Sequence, residues 1–124
     1  MKEIRELTKA EEQLMKVVWQ IGKGTIKEIT DHMPAPKPAY NTVATVLKVL
    51  KGKNFVALEA NGNVFTYYPL VAEKDYRHFA FDKVFDNYFS GSYHSLVSFL
   101  VEEKNLDEET HERLKQLADK LKDL

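Results

Sequence analysis

A chain of 124 residues with 44% hydrophobic content can form one packed core, or one domain plus an appendage that needs a partner, but not two large domains. The absence of cysteine excludes a disulfide framework and a thiolate zinc site. The apolar runs are too short for membrane insertion, and the charged stretch from Met1 to Leu7 does not read as a signal peptide, so a cytoplasmic location is expected. The net charge of −1 is uneven: Met1 to Ala72 holds ten Lys and Arg against seven Asp and Glu, and Glu73 to Leu124 holds eight against twelve. Between His32 and Leu58 stand Lys37, Lys48, Lys51 and Lys53 with no acid, a distribution that suits a phosphate backbone as well as plain solvation.

The first helix is predicted to open at Thr8, where Thr8 and Glu11 spell a capping box, and to turn Ala10, Leu14, Val17, Val18 and Ile21 inward before Gly22 and Gly24 end it. Thr25 and Glu28 repeat the signal, so a short second helix runs from about Ile26 to His32, with Ile26, Ile29 and Met33 inward. Pro34, Pro36 and Pro38 then impose a stiff, extended connection. From about Tyr40 to Lys51, Val43, Val46, Leu47 and Leu50 fall at helical spacing, and the opposite face carries Asn41, Thr42, Thr45 and Lys48. Gly52 is expected to close this helix. Phe55 to Ala60 and Val64 to Tyr68 are β-rich and flank Asn61-Gly62, which predicts a hairpin with a type I′ turn.

Helix, helix, helix, hairpin is the layout of a winged helix, whose third helix can enter a major groove about 12 Å wide while the hairpin flanks it. The predicted fold is therefore mainly α with a small β-hairpin wing: a winged helix-turn-helix over residues 1–71 and a helical dimerisation segment over residues 72–124. Thr42 and Thr45 are the candidate base contacts, because threonine is not favoured inside a helix by propensity, with Lys48 for a phosphate or a guanine. Asn41 shares their face, while Lys37, Lys51 and Lys53 would position the protein on phosphates or merely be solvated. Tyr40 either packs as a cap or touches a sugar-phosphate edge. The wing turn, Asn61, Gly62 and Asn63, has no cation and would hold phosphates through backbone amides.

After Pro69 the composition shifts, and eight of the thirteen Phe and Tyr residues lie between Tyr76 and Phe99. In a helix from about Glu73 to Phe89, Phe81, Val84, Phe85 and Tyr88 form one stripe and Tyr76, Phe79 and Ala80 another, so both sides call for burial. Ser90-Gly91-Ser92 breaks this helix just after Phe89. A short helix from Tyr93 to about Glu103 presents Leu96, Val97, Phe99, Leu100 and Val101, and Asp107 caps a last helix with a seam of Leu114, Leu117, Leu121 and Leu124. The segment either folds back on its own wing domain or meets a second copy, and stripes on opposite faces favour a homodimer through Tyr76, Phe79, Phe81, Phe85, Tyr88, Phe89, Leu96, Phe99, Leu100, Leu114, Leu117 and Leu121.

In Leu7-Thr8 and Glu11 with Val18-Trp19, Thr42-Val43 with Thr45-Val46-Leu47, and Phe65 with Tyr67-Tyr68-Pro69-Leu70, the chain resembles the BlaI/MecI family of penicillinase and methicillin-resistance repressors. Ser95-Leu96-Val97, Val101-Glu102 and Leu106 extend the resemblance over nearly the whole chain. It implies a homodimer on palindromic double-stranded operator DNA ahead of resistance or sensor genes, released by proteolysis through a membrane-bound sensor protease. The candidate cleavage region is Ser98, Phe99 and Leu100, where relatives released this way have an Asn-Phe bond. The cysteine cluster of copper-responsive relatives is missing, which excludes metal sensing of that type.

Nothing announces an enzyme. His32, His78, His94 and His111 have no metal-ligand spacing, Asp107, Glu108 and Glu109 read as helix capping, and no serine has a positioned base. Trp19 reads as partly buried core rather than a ligand-stacking residue. No cofactor, metal or small-molecule substrate is expected. The competing expectation is a winged helix used as a protein-interaction module without operator binding.

Overall fold

Residues 3–122 are described by a computed structural model. The elements run α1 (Lys9–Ile21), α2 (Ile26–Asp31), α3 (Tyr40–Gly52), β1 (Val56–Asn61), β2 (Val64–Pro69), α4 (Glu73–Phe89), α5 (Tyr93–Val101) and α6 (Glu108–Leu121). The expected fold class holds: helices, with one antiparallel hairpin among the described residues. The chain divides into two compact units, Met1–His78 and Phe79–Leu124.

In the first unit both capping boxes form. Thr8 Oγ1 accepts from the Glu11 amide at 3.2 Å while Glu11 Oε1 accepts from the Thr8 amide at 2.9 Å, and Thr25 and Glu28 repeat this at 3.1 and 2.9 Å. Four of the amides left open at the two helix starts are thereby satisfied. Gly22 ends α1 at φ 79°, where an L side chain would be strained. The fully buried core is Leu14, Met15, Val18, Ile29, Val43, Leu47, Leu50, Phe55 and Val56. Ala10 is exposed, so the inward face of α1 starts at Glu11 instead.

Two local expectations are corrected. The left-handed residue after α3 is Asn54, at φ 64°, and Gly52 is still helical. In the wing, Asn61 pairs with Val64, so the two-residue loop is Gly62-Asn63, with positive φ (65°) at Gly62 alone. That is the pattern of a type II′ turn, which needs glycine only at its first central position; a type I′ turn would need two positive φ values in the same loop. Beyond the hairpin, Gly24 exchanges both backbone hydrogen bonds with Tyr67, at 3.0 and 2.8 Å, so β2 is flanked on both sides. A Cβ on Gly24 would lie 2.7 Å from Ile21 Cδ1.

Tyr76, expected at the dimer interface, instead closes the core of the first unit. Its ring lies edge-on to Phe55 at 5.6 Å and tilted to Trp19 at 6.1 Å, and its hydroxyl accepts from the Leu7 amide at 3.0 Å. Trp19 donates its indole N–H to the Val71 carbonyl at 2.8 Å. These contacts hold the first turn of α4 to the first unit and move the boundary from the expected 71/72 to His78 and Phe79.

In the second unit, Ser90 and Gly91 both take positive φ and break the chain between α4 and α5. Phe85 stacks on Phe81 at 5.4 Å and tilts against Tyr93 at 4.7 Å, while Phe89 meets Phe99 edge-on at 5.4 Å. Phe85, expected on the dimer surface, is thus already covered within its own unit. Val97 and Ala118 are buried where α5 and α6 pack. Phe81, Val84, Tyr88, Tyr93, Phe99, Leu100 and Leu117 stay exposed; Phe79, Phe89, Leu96, Leu114 and Leu121 are half-buried. Leu124 of the expected seam lies outside the described residues.

Candidate nucleic-acid interface

The third helix separates its faces as its periodicity requires. Val43, Leu47 and Leu50 are buried, whereas Asn41, Thr45, Lys48 and Gly52, spaced by four, three and four residues, form an exposed stripe bordered by Thr42 and Val49. No residue of α3 is acidic, and Lys51 sits in its last turn, where a cation also complements the helix dipole. Thirteen residues at about 1.5 Å rise give a rod long enough to lie along a major groove. Lys37, Lys48 and Lys51 are exposed, and none is held by a carboxylate among the described residues. Thr45 donates its hydroxyl to the Asn41 carbonyl at 2.9 Å, which leaves its methyl and its acceptor lone pairs for a partner.

Lys53 is the exception among the expected phosphate contacts. Its ammonium lies 2.7 Å from Glu11 Oε1, and both side chains are largely buried. Burial alone would raise the Glu11 carboxyl, but the hydrogen bond and charge of Lys53 and the Thr8 amide and hydroxyl hold it below its ordinary range. Lys53 therefore ties the end of α3 to the start of α1, and its charge is neutralised before any phosphate could meet it. Glu59, the one acid of the wing, is likewise paired with Lys23 at 2.7 Å, so it does not repel a polyanion as a bare carboxylate would.

The wing turn residues Asn61, Gly62 and Asn63 are exposed, as is Tyr40 at the first position of α3, and Asn63 and Tyr40 line one groove. Exposed Val64 and Phe65, and the free cation Lys27 on α2, were not expected near the site. The signal for Phe65 was the alternation of β2 running past the last residue with core beneath it. The histidines gather no metal site: among the described residues no group of three His, Asp or Glu is placed to hold an ion.

An exposed, acid-free helix face flanked by a two-stranded wing and anchored on two capped helices defines a winged-helix nucleic-acid-binding protein. The chain belongs to the penicillinase repressor family of transcriptional repressors, whose model matches residues 7–120. It is 25% identical to the methicillin resistance regulatory protein MecI of Staphylococcus aureus (strain N315) over 116 residues, 93% of this chain and 94% of the relative. It is 26% identical to the penicillinase repressor of Bacillus licheniformis over 123 residues, 98% and 96% of the two chains. Among solved structures, the DNA-binding domain of the repressor BlaI aligns with a TM-score of 0.52 at 30% identity, covering 61% of this chain and 94% of that one. The monomeric form of Bacillus licheniformis BlaI in complex with the blaP half-operator aligns at 0.51 and 29%, with the same coverage.

Proposed function

We propose that this chain is a cytoplasmic repressor that binds an inverted-repeat operator in double-stranded DNA as a homodimer and controls β-lactam or cell-wall-stress resistance or sensor genes. The observation that carries the reading is the stripe of Asn41, Thr42, Thr45 and Lys48, exposed and free of acids, on a helix whose first residue, Tyr40, shares a groove with the wing. The half-operator complex of a relative 29% identical supports DNA as the partner, and the names of the relatives support the class of genes. Dimerisation is assigned to the second unit, where exposed Phe81, Val84, Tyr88, Tyr93 and Phe99 offer apolar surface for a second copy to cover. Dimers of this type read half-sites about one helical turn, or a multiple of it, apart.

Derepression is assigned to cleavage at Ser98, Phe99 and Leu100 by a membrane-bound sensor protease. Phe99 is exposed but helical, so cutting there requires α5 to unravel locally, and α5 spans only nine residues. A cut would separate α6 from the rest of the second unit and leave the first unit folded.

Fluorescence anisotropy of the full chain on the DNA upstream of its own gene, across a salt series, tests the reading. Binding that falls steeply with salt and prefers an inverted repeat is expected. Binding that shows no salt dependence would reassign the wing domain to protein contacts. Intact-mass spectrometry after treating the producing cells with a cell-wall-active antibiotic tests release: a fragment ending near Ser98 is expected, and derepression with the chain intact would exclude proteolysis.

A further inference from the structure

The inner face of the hairpin outruns the core beneath it. The register puts Val56, Leu58 and Ala60 of β1 on one face with Pro69, Tyr67 and Phe65 of β2. Val56 at the base is buried and Tyr67 is half-buried, but Phe65, one pair short of the turn, is 53% exposed. Tyr40, at the first position of α3, is also 53% exposed, and Val64 is 52% exposed. The three line one groove of about 340 Å³, completed by Asn63 and by Thr25, Ile26 and Lys27 at the start of α2. None of these residues is acidic, and Lys27 has no carboxylate partner among the described residues.

We propose that this groove takes one deoxyribose-phosphate segment of the operator backbone, with the sugar against Phe65 and Tyr40 and the phosphate on the Lys27 ammonium and the Asn63 amide. The proposal rests on α3 being the DNA-binding helix, since the groove begins at the first residue of that helix. A sugar ring presents an apolar C–H face between two anionic groups, and an apolar floor with a cation at the rim matches both. The volume lies at the low end of ligand clefts, enough for a nucleotide backbone unit and too small for a helix. A protein partner is disfavoured by the continuity of the groove with α3 and by the unpaired Lys27. The wing therefore grips DNA by apolar contact, which accounts for a wing without a free cation.

The test uses the full chain, a duplex carrying its operator and a scrambled duplex, with anisotropy read across salt concentrations. Phe65→Ser should weaken both duplexes about tenfold and leave the salt slope unchanged, because the lost contact is apolar and blind to sequence. Lys27→Gln should lower the slope of log K against log salt by about 0.9, the share of one phosphate. Abasic substitution of the nucleotides facing the wing should not change the Phe65→Ser penalty, since the sugar remains. Phe65→Trp should keep binding, and its emission, measured against the unsubstituted chain with Trp19, should shift when duplex is added.

If the unsubstituted chain binds while Phe65→Ser binds equally well and the Phe65→Trp emission stays fixed, the groove proposal falls and the assignment of α3 stands. If the unsubstituted chain shows no salt-dependent binding, the DNA reading itself falls. A penalty confined to the cognate duplex, or abolished by abasic substitution, would assign Phe65 to a base and overturn the proposal. A Phe65→Ser chain that changes oligomeric mass while binding each half-site normally would assign the groove to a protein contact, which also overturns it.

Discussion

Thr45 commits its hydroxyl proton to the Asn41 carbonyl of its own helix, so what remains for a partner is a methyl group and acceptor lone pairs. Thymine methyls are the matching partner in a major groove. Thr45→Ala should cost about 1–3 kcal/mol on the cognate operator and relax base preference, and Thr45→Val should retain more affinity than Thr45→Ser. Lys51→Ala should weaken all sequences alike and flatten the salt slope by about one unit. Anisotropy on cognate and random duplexes separates the two behaviours, and equal losses on both for Thr45→Ala would remove it from base recognition. The Glu11 and Lys53 pair makes a different demand. Lys53→Ala leaves a largely buried carboxylate without its cation and should destabilise the fold by about 1–3 kcal/mol. Because the folded Glu11 carboxyl is held below its ordinary range, its contribution is fully present above the unfolded pKa and is lost as pH falls through the folded value. Melting temperature against pH should therefore drop on the acid side, and Glu11→Gln should make that drop shallower.

At the level of elements, what was legible in the sequence was what short-range chemistry decides. The starts of α1 and α2 follow from two Thr-x-x-Glu boxes, and α3 from its i, i+3, i+4 pattern, because the partners in each case lie within one or two turns. The turn was displaced by one residue because Asn61-Gly62-Asn63 contains both an Asn-Gly loop for type I′ and a Gly-Asn loop for type II′, and only the strand register chooses between them. Tyr76 and Lys53 were misplaced for a further reason: their partners, Leu7 and Glu11, are 69 and 42 residues away, and no local pattern shows such a contact. Of the expected DNA face, the residues of α3 were legible as one helical stripe, whereas Lys27 and Phe65 belong to the groove only because Gly24 pairs with Tyr67 and brings α2 beside β2. The position of Tyr76 has an experimental consequence. A fragment ending at His78 should fold and melt cooperatively, whereas one ending at Leu70 loses Val71 and Tyr76 from the core and should be markedly less stable. Circular dichroism melts of the two fragments check this, and equal stability would place the unit boundary back before α4.

For the whole molecule, in the proposed homodimer the second unit would set how tightly two winged-helix units act together. A linked pair holds its second member near the second half-site at an effective concentration that reaches roughly the millimolar range, so such a dimer would have an affinity neither half has alone. Tyr88 is 80% exposed on α4 and belongs to the uncovered aromatic face. Tyr88→Asp should shift the full chain from dimer to monomer at micromolar concentration by light scattering, with the melting of the first unit unchanged. A dimer that survives Tyr88→Asp would move the interface away from that face.

In the proposed dimer, that aromatic face would also make association a matter of temperature. Covering Phe81, Val84, Tyr88, Tyr93 and Phe99 in a twin would remove apolar surface from water, and the signature of that change is a negative heat capacity of association. The driving force then weakens on cooling, as every hydrophobic contact does. Dissociation constants measured by dilution calorimetry at several temperatures should trace a curve rather than a line, with the pair loosening toward the cold. A cell moved to low temperature would hold the same number of chains but fewer dimers, and its operators would be less fully occupied before any inducer arrived.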